Sequence, residues 1–326
     1  MLFRSVANKL PMSLRDVLER WQAPIYLVTV ALAAGLAWQF DGMQALEVAI
    51  NPALAFMLYV TFLQVPWRAL RGAWAQGRFL LALLVTNFVA VPLLVAALSG
   101  MLPSDHLLRF GVLLVLLAPC IDYVVTFAHM GKADARLLLA STPVLLVVQM
   151  LLLPLYLDAL LGSQAAGLVQ QGPFVDAFAW LIVVPLALAA ATQWWAQRSS
   201  MVERGSNVLG VLPVPATAVV LWVVMAAVVP QLGAAPEAVW HVLPVYVAFA
   251  VLAPLVAWGV AKAFQLPAPA ARAVAFSGST RNSLVVLPLA LAVPGAIPVL
   301  PAVIVAQTLV ELLSELVYIK LIPKLR

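Results

Sequence analysis

Two polar stretches stand where the surrounding chain is almost pure hydrocarbon. The first is Ala118-Pro119-Cys120-Ile121-Asp122-Tyr123, and the second is Ser277-Gly278-Ser279-Thr280-Arg281-Asn282-Ser283. Cys120 offers a soft thiol, Asp122 a carboxylate and Arg281 a guanidinium. Ser277, Ser279, Thr280, Asn282 and Ser283 add donors and acceptors able to hold a dehydrated polar solute. Charged groups within apolar spans are costly in lipid and face a protein interior or a water-filled cavity. The two stretches therefore read as facing halves of one transport site.

Each stretch carries a helix breaker. Pro119 lacks a backbone donor and disfavours helix at Ala118, and Gly278 is the matching break in the second stretch. Beyond Pro119, Asp122, Thr126 and His129 follow a 3.6-residue period and share one face, with His129 toward the cytoplasmic mouth. That face either looks into a cavity or leaves Asp122 as a cap on a helix N-terminus. Cys120 is either a small buried hydrophobe or a soft ligand, and one thiol makes only a weak, releasable contact.

Arg281 needs a carboxylate, and Asp122 is the expected partner. Gln307, Glu311 and Glu315 recur every fourth residue and form one stripe, read as a proton or cation relay or as a fixed partner for Arg281. Glu315 is expected to be solvated near the cytoplasm. Asp122, Arg281 and Glu311 are thus the candidate coupling and ion-pair residues. Thr86, Asn87 and Gln149 read as interhelical hydrogen-bonding groups. His106 and His241 read as surface residues.

These residues need apolar elements to position them, and composition supplies the elements. Of 326 residues 65% are hydrophobic and 10% charged, which places the chain among integral membrane proteins. The expected fold is all-α, with ten spans near 22–40, 47–65, 79–100, 108–130, 137–161, 174–196, 207–230, 240–262, 272–293 and 297–322. Five spans per half make two repeats of opposite topology, 22–161 and 174–322. A turn-rich external linker at 162–173 joins them, between cytoplasmic segments at 1–21 and 323–326. The interrupted stretches fall in the fourth span of each half, spans four and nine, the strongest sequence pointer to a midplane site.

The net charge of +5 reports topology. Arg4, Lys9, Arg15 and Arg20 precede the first span, and Arg68, Arg71, Arg78, Lys132, Arg136, Arg198, Arg204, Lys262, Arg272, Lys320, Lys324 and Arg326 lie on that same side. By the positive-inside rule both termini are cytoplasmic, in a plasma or inner membrane, and a nucleic-acid partner is not indicated. Residues 5–18 read as a surface helix or a tail, and 67–79 as an interfacial helix or an ordinary loop. The first apolar segment reads as a retained helix. A single cysteine excludes an intramolecular disulfide, and no nucleotide or cofactor motif is present.

Ala118-Pro119-Cys120-Ile121-Asp122, followed by His129-Met130-Gly131-Lys132-Ala133-Asp134-Ala135-Arg136-Leu137, resembles the fourth-span motif of the arsenite-efflux branch of the bile acid/sodium symporter superfamily. Ser279-Thr280-Arg281-Asn282-Ser283 falls where that family has its ninth-span Ser-Asn-Asn segment. The resemblance implies two inverted five-span repeats. It also implies a core of spans three to five and eight to ten, with spans four and nine discontinuous and crossing, and a panel of the other spans. Alternating access and a transport role for Cys120 as arsenite ligand follow from the same likeness. Arg281-Asn282-Ser283-Leu284 departs from the family's Asn-Asn-Phe-Glu, so the carboxylate used in relatives for sodium or proton coupling is absent at Leu284.

The sequence reading is therefore an arsenite-efflux type secondary transporter, not sodium-dependent, with a proton as the candidate coupling ion through Glu311 or Asp122. Its rival is a carrier of small organic anions with Arg281 as the carboxylate clamp. A remoter rival is an intramembrane enzyme. Cys120 and His129 lie nine residues apart, about 13 Å on one helix, too far for direct proton transfer.

Overall fold

The computed structural model describes residues 14–40, 42–64, 76–162, 176, 179–232, 235–291, 293 and 295–325. The readings for residues 5–13, for most of 67–79 and for the linker beyond Gly162 lie outside the described residues. Residues 14–18 of the segment read as a surface helix or a tail lie in a short helix, α1 (Leu14–Arg20).

Apart from a single two-residue bridge, the described residues form helices and their connections. Among the described residues seven helices are long and apolar enough to cross a membrane. In chain order the helices after α1 are α2 (Gln22–Gln39), α3 (Glu47–Phe62), α4 (Gly77–Ser99), α5 (His106–Leu116), α6 (Val124–Met130) and α7 (Ala135–Leu161). They continue with α8 (Ala179–Ala196), α9 (Ser200–Leu209), α10 (Pro213–Leu232), α11 (Pro236–Ala263), α12 (Ala268–Ser279), α13 (Ser283–Leu291) and α14 (Val299–Leu321). The expected start of the seventh span at 207 is corrected: residues 200–209 form the separate polar helix α9, and α10 starts at Pro213. The reason is composition, since Glu203, Arg204, Ser206 and Asn207 leave α9 amphipathic, with no buried residue.

The helices start where the sequence supplies caps. Asp105 accepts from Leu108 N at 2.7 Å to begin α5, and Asp134 from Leu137 N at 3.2 Å to begin α7. Proline recurs inside the long helices, as Pro52, Pro143, Pro154, Pro244 and Pro254. A bilayer tolerates these because neighbouring helices satisfy the freed carbonyls. Large apolar side chains such as Leu32, Leu93, Leu151, Leu155, Val251 and Leu313 are exposed, as lipid-facing residues are, and Trp38, Trp180, Trp194, Trp195 and Trp240 stand exposed among them.

Packing divides the helices into two groups. Helix α10 lies against α2 and α3, and α8 also lies against α3. Helix α11 lies against α12, α14 and the second half of α4, while α14 also meets α5 and α13. The groups touch where α10 meets α14. Two interruptions sit in the second group. Helix α5 stops at Leu116 and α6 begins at Val124; α12 stops at Ser279 and α13 begins at Ser283. Between them the chains run antiparallel, with Cys120 N donating to Thr280 O at 3.1 Å and Asn282 N donating to Ala118 O at 2.8 Å. Each broken helix thus satisfies the backbone groups that the other has freed.

The expected break at Gly278 is corrected. Gly278 lies inside α12, and the helix opens two residues later, at Thr280 (φ −102°, ψ 128°). Glycine serves close approach here: a Cβ at position 278 would lie 2.6 Å from Ala257 Cβ and 2.8 Å from Thr86 Cγ2. Asn282 then restarts the helix, its Oδ1 accepting from Val285 N at 3.3 Å.

Candidate functional site

Beside the crossing a cavity of about 520 Å³ opens between the two groups of helices. One side is built by Asp122, Tyr123, Val125 and Thr126 of the interrupted segment and α6. The other side is built by Gln22 and Tyr26 of α2, Thr61 of α3, and Pro213, Val214 and Thr217 of α10. Arg15 and Glu19 of α1, His129 of α6 and Arg136 of α7 are also part of the lining. Asp122 and Gln22 are 7% and 2% exposed, whereas His129 and Arg136 are exposed, so the wall runs from buried to open. Asp122, Thr126 and His129 share the cavity-facing side of this segment.

Asp122 is held from behind. Its Oδ1 accepts from Cys120 Sγ at 2.8 Å and from Tyr123 N at 2.7 Å, and its Oδ2 has no hydrogen-bond partner. The capping reading is met only in part, because α6 starts after Tyr123 without a side-chain cap. Cys120 is wholly buried and is not among the residues lining the cavity. Asp122 stands between its thiol and the open space.

The expected pair of Asp122 with Arg281 is corrected. Among the described residues the one side-chain ion pair is Arg15 with Glu19. The Arg281 side chain is fully buried and turns away from the cavity into the packed group. Its Nη2 donates to Asn87 Oδ1 at 3.0 Å and to Ser277 O at 2.6 Å, its Nη1 reaches Leu116 O at 3.4 Å, and the guanidinium carbon lies 5.6 Å from the centre of the Phe249 ring. Amide and carbonyl oxygens, rather than a carboxylate, receive its donors. The antiparallel crossing explains this, since it sets Arg281 opposite Pro119 and points the two charged side chains to different sides.

Glu311 binds the same residue through its backbone: Arg281 N donates to Oε2 at 2.7 Å, Gln307 Nε2 donates to Oε2 at 2.6 Å, and the Tyr123 hydroxyl donates to Oε1. Tyr123 therefore joins the cavity wall to the carboxylate behind it. Glu315, expected near solvent, is fully buried; its Oε1 accepts from Thr280 Oγ1 at 2.6 Å. Helix α14 packs it against the second interruption, where Thr280 meets it.

The remaining candidates serve the crossing itself. Ser279 Oγ donates back to Ala275 O at 2.8 Å, Ser283 Oγ accepts from Thr308 at 2.9 Å, and Asn282 caps α13. None of Ser279, Thr280, Arg281, Asn282 and Ser283 lines the large cavity, though Ser279 borders a water-sized void with Gln307, Glu311 and Tyr318.

Sequence reasoning placed Asn87 as a generic interhelical group and did not link it to Arg281. Asn87 sits in a π-turn at Thr86–Ala90 of α4, where it also donates to Ser277 Oγ at 3.0 Å. Among the described residues Thr86 Oγ1 and both amide atoms of Gln149 have no hydrogen-bond partner, which corrects the interhelical reading of those two residues. Gln22, Tyr26, Tyr123 and Thr217 were not singled out. Gln22 alone left a sequence signal, a buried amide opening an apolar helix.

The model of the sodium bile acid symporter family matches residues 51–235, more than half the chain. It takes in the first interrupted segment and ends before the second. No curated protein matches the chain.

Proposed function

Because the chain belongs to the sodium bile acid symporter family and is a multi-pass membrane protein, we infer that it is a secondary transporter of the arsenite-efflux type. The carrying observation is the buried cavity wall, where a carboxylate backed by the sole thiol faces the space and the buried guanidinium does not. Such a wall suits a small solute without negative charge, and arsenous acid is neutral and thiophilic. Cys120 is the ligand that would take the arsenic once Asp122 moves aside.

The architecture proposed for this activity is ten spans, formed by the seven long helices, α2, and the interrupted pairs α5/α6 and α12/α13. They divide into inverted halves at 22–161 and 174–322. The division of the packing supports a panel of α2, α3, α8 and α10 moving against a core of α4–α7 and α11–α14 to give alternating access. The basic residues on one side support cytoplasmic termini in the cell membrane. Transport is independent of sodium, because Arg281 keeps a tethered positive charge at the crossing and Leu284 brings no carboxylate there. A proton is the coupling ion, with Glu311 and Asp122 as the candidate carriers.

The family name favours a second reading, carriage of organic anions. Against it, Arg281 is bonded to Asn87, Ser277 and Leu116, and the buried end of the wall presents the Asp122 carboxylate, with Arg15 and Arg136 only at the exposed end. Resistance and vesicle-flux assays in an arsenite-sensitive host, with and without sodium, test the reading. Wild-type chain should confer resistance that Cys120→Ser abolishes. Steep sodium dependence, or flux of small carboxylates with no effect on arsenite, would overturn it.

A further inference from the structure

Two residues that line the cavity each carry a buried oxygen with no hydrogen-bond partner among the described residues, Asp122 Oδ2 and Gln22 Oε1. Both side chains are more than nine-tenths buried. They belong to different helix groups, Gln22 opening α2 and Asp122 lying in the interrupted segment. Gln22 Oε1 is an acceptor, as is Asp122 Oδ2 while the carboxylate is ionised, and a buried acceptor left without a donor is costly and rare. The other Asp122 oxygen, Oδ1, is held by Cys120 Sγ and Tyr123 N.

We propose that Asp122 and Gln22 form a donor-reading site that grips, between the two helix groups, a small solute bearing N–H or O–H groups and no negative charge. The three hydroxyls of arsenous acid and the N–H groups of a guanidinium-type cation share this chemistry. A carboxylate solute meets two acceptors, one of them an anion, and is rejected. Thr126 and Thr217 line the same cavity and donate or accept as the solute requires. A solute bonded to both residues ties α2 to the broken helix, so occupancy bears on the relative position of the groups that alternating access must move.

The inference rests on the transport reading but is tested apart from it. Purified full-length protein in lipid nanodiscs is titrated calorimetrically with arsenous acid, guanidinium chloride and sodium taurocholate. Arsenous acid or guanidinium should bind, with affinity weakened about tenfold or more by Asp122→Asn and by Gln22→Leu, the loss expected when one buried bond is removed. Gln22→Glu keeps the acceptor and adds charge. It should shift preference toward guanidinium over arsenous acid, a change of selectivity that damage to the fold would not produce.

Binding of neither donor-bearing probe, affinities unchanged in both weakening variants, or taurocholate binding that depends on Asp122 would overturn the proposal. Guanidinium binding through both residues without arsenite resistance would leave this site standing and sink the arsenite reading. Arsenite resistance indifferent to Gln22 and Asp122 would do the reverse.

Discussion

The Arg281 guanidinium donates to the Asn87 side-chain oxygen at 3.0 Å, joining residues 194 positions apart. Asn87 in turn donates to Ser277 Oγ at 3.0 Å, so one amide bridges the charge and the helix that carries it. A buried cation is thus held by dipoles and by the Glu311 carboxylate acting through the Arg281 backbone. Removing a partner from a buried charge is strongly destabilising.

Asn87→Leu should therefore lower stability by about 3 kcal/mol or more. Differential scanning fluorimetry of the detergent-solubilised protein reads this. Arg281→Lys should not restore the wild-type melting temperature, because an ammonium cannot span the Asn87, Ser277 and Leu116 oxygens. A variant that melts with the wild type would show the contact to be dispensable.

Gly278→Ala should cost about 1–3 kcal/mol by overpacking α12 against α11. The added Cβ would meet Ala257 Cβ at 2.6 Å. Ala257→Gly in the same chain should recover part of the loss, and the double-mutant cycle in thermal unfolding checks it. Simple additivity of the two changes would contradict the close-approach account.

Tyr123→Phe removes the donor to Glu311 Oε1 and leaves a buried carboxylate oxygen unpaired, at a cost of about 1–3 kcal/mol. Combined with Glu311→Gln, the cost of Tyr123→Phe should fall, because a neutral amide oxygen suffers less from the missing donor. Unfolding of the four proteins in the cycle measures the coupling.

Thr280→Val and Glu315→Gln should each destabilise, and their effects should be non-additive, since Thr280 Oγ1 bonds Glu315 Oε1 at 2.6 Å. If Glu315 were solvated, both substitutions would leave the melting temperature unchanged.

The long helices were legible because a bilayer demands runs of about 20 apolar residues, and such runs announce themselves without knowledge of neighbours. Pro119 was legible for a similar reason, since its missing donor is a property of one residue. Thr126 and His129 on a common face followed from helical period, whereas Asp122 precedes α6 and reaches the same cavity from the interrupted segment. Gly278 misled because glycine has two uses, as a breaker and as a point of close approach, and only the position of Ala257 on α11 distinguishes them.

By itself, then, the sequence determined membrane residence, the placement of the apolar helices and the presence of two polar interruptions, all consequences of local composition. Tertiary structure decided what the interruptions do. Antiparallel pairing of Ala118–Cys120 with Thr280–Asn282 set where the second helix opens and turned Arg281 toward Asn87 and away from Asp122. Burial of Glu315 and the placement of Gln22 and Asp122 on opposite sides of one cavity are likewise relations between distant segments. Side-chain chemistry fixes which partners a residue can accept, but only the folded backbone brings one of them within hydrogen-bonding reach.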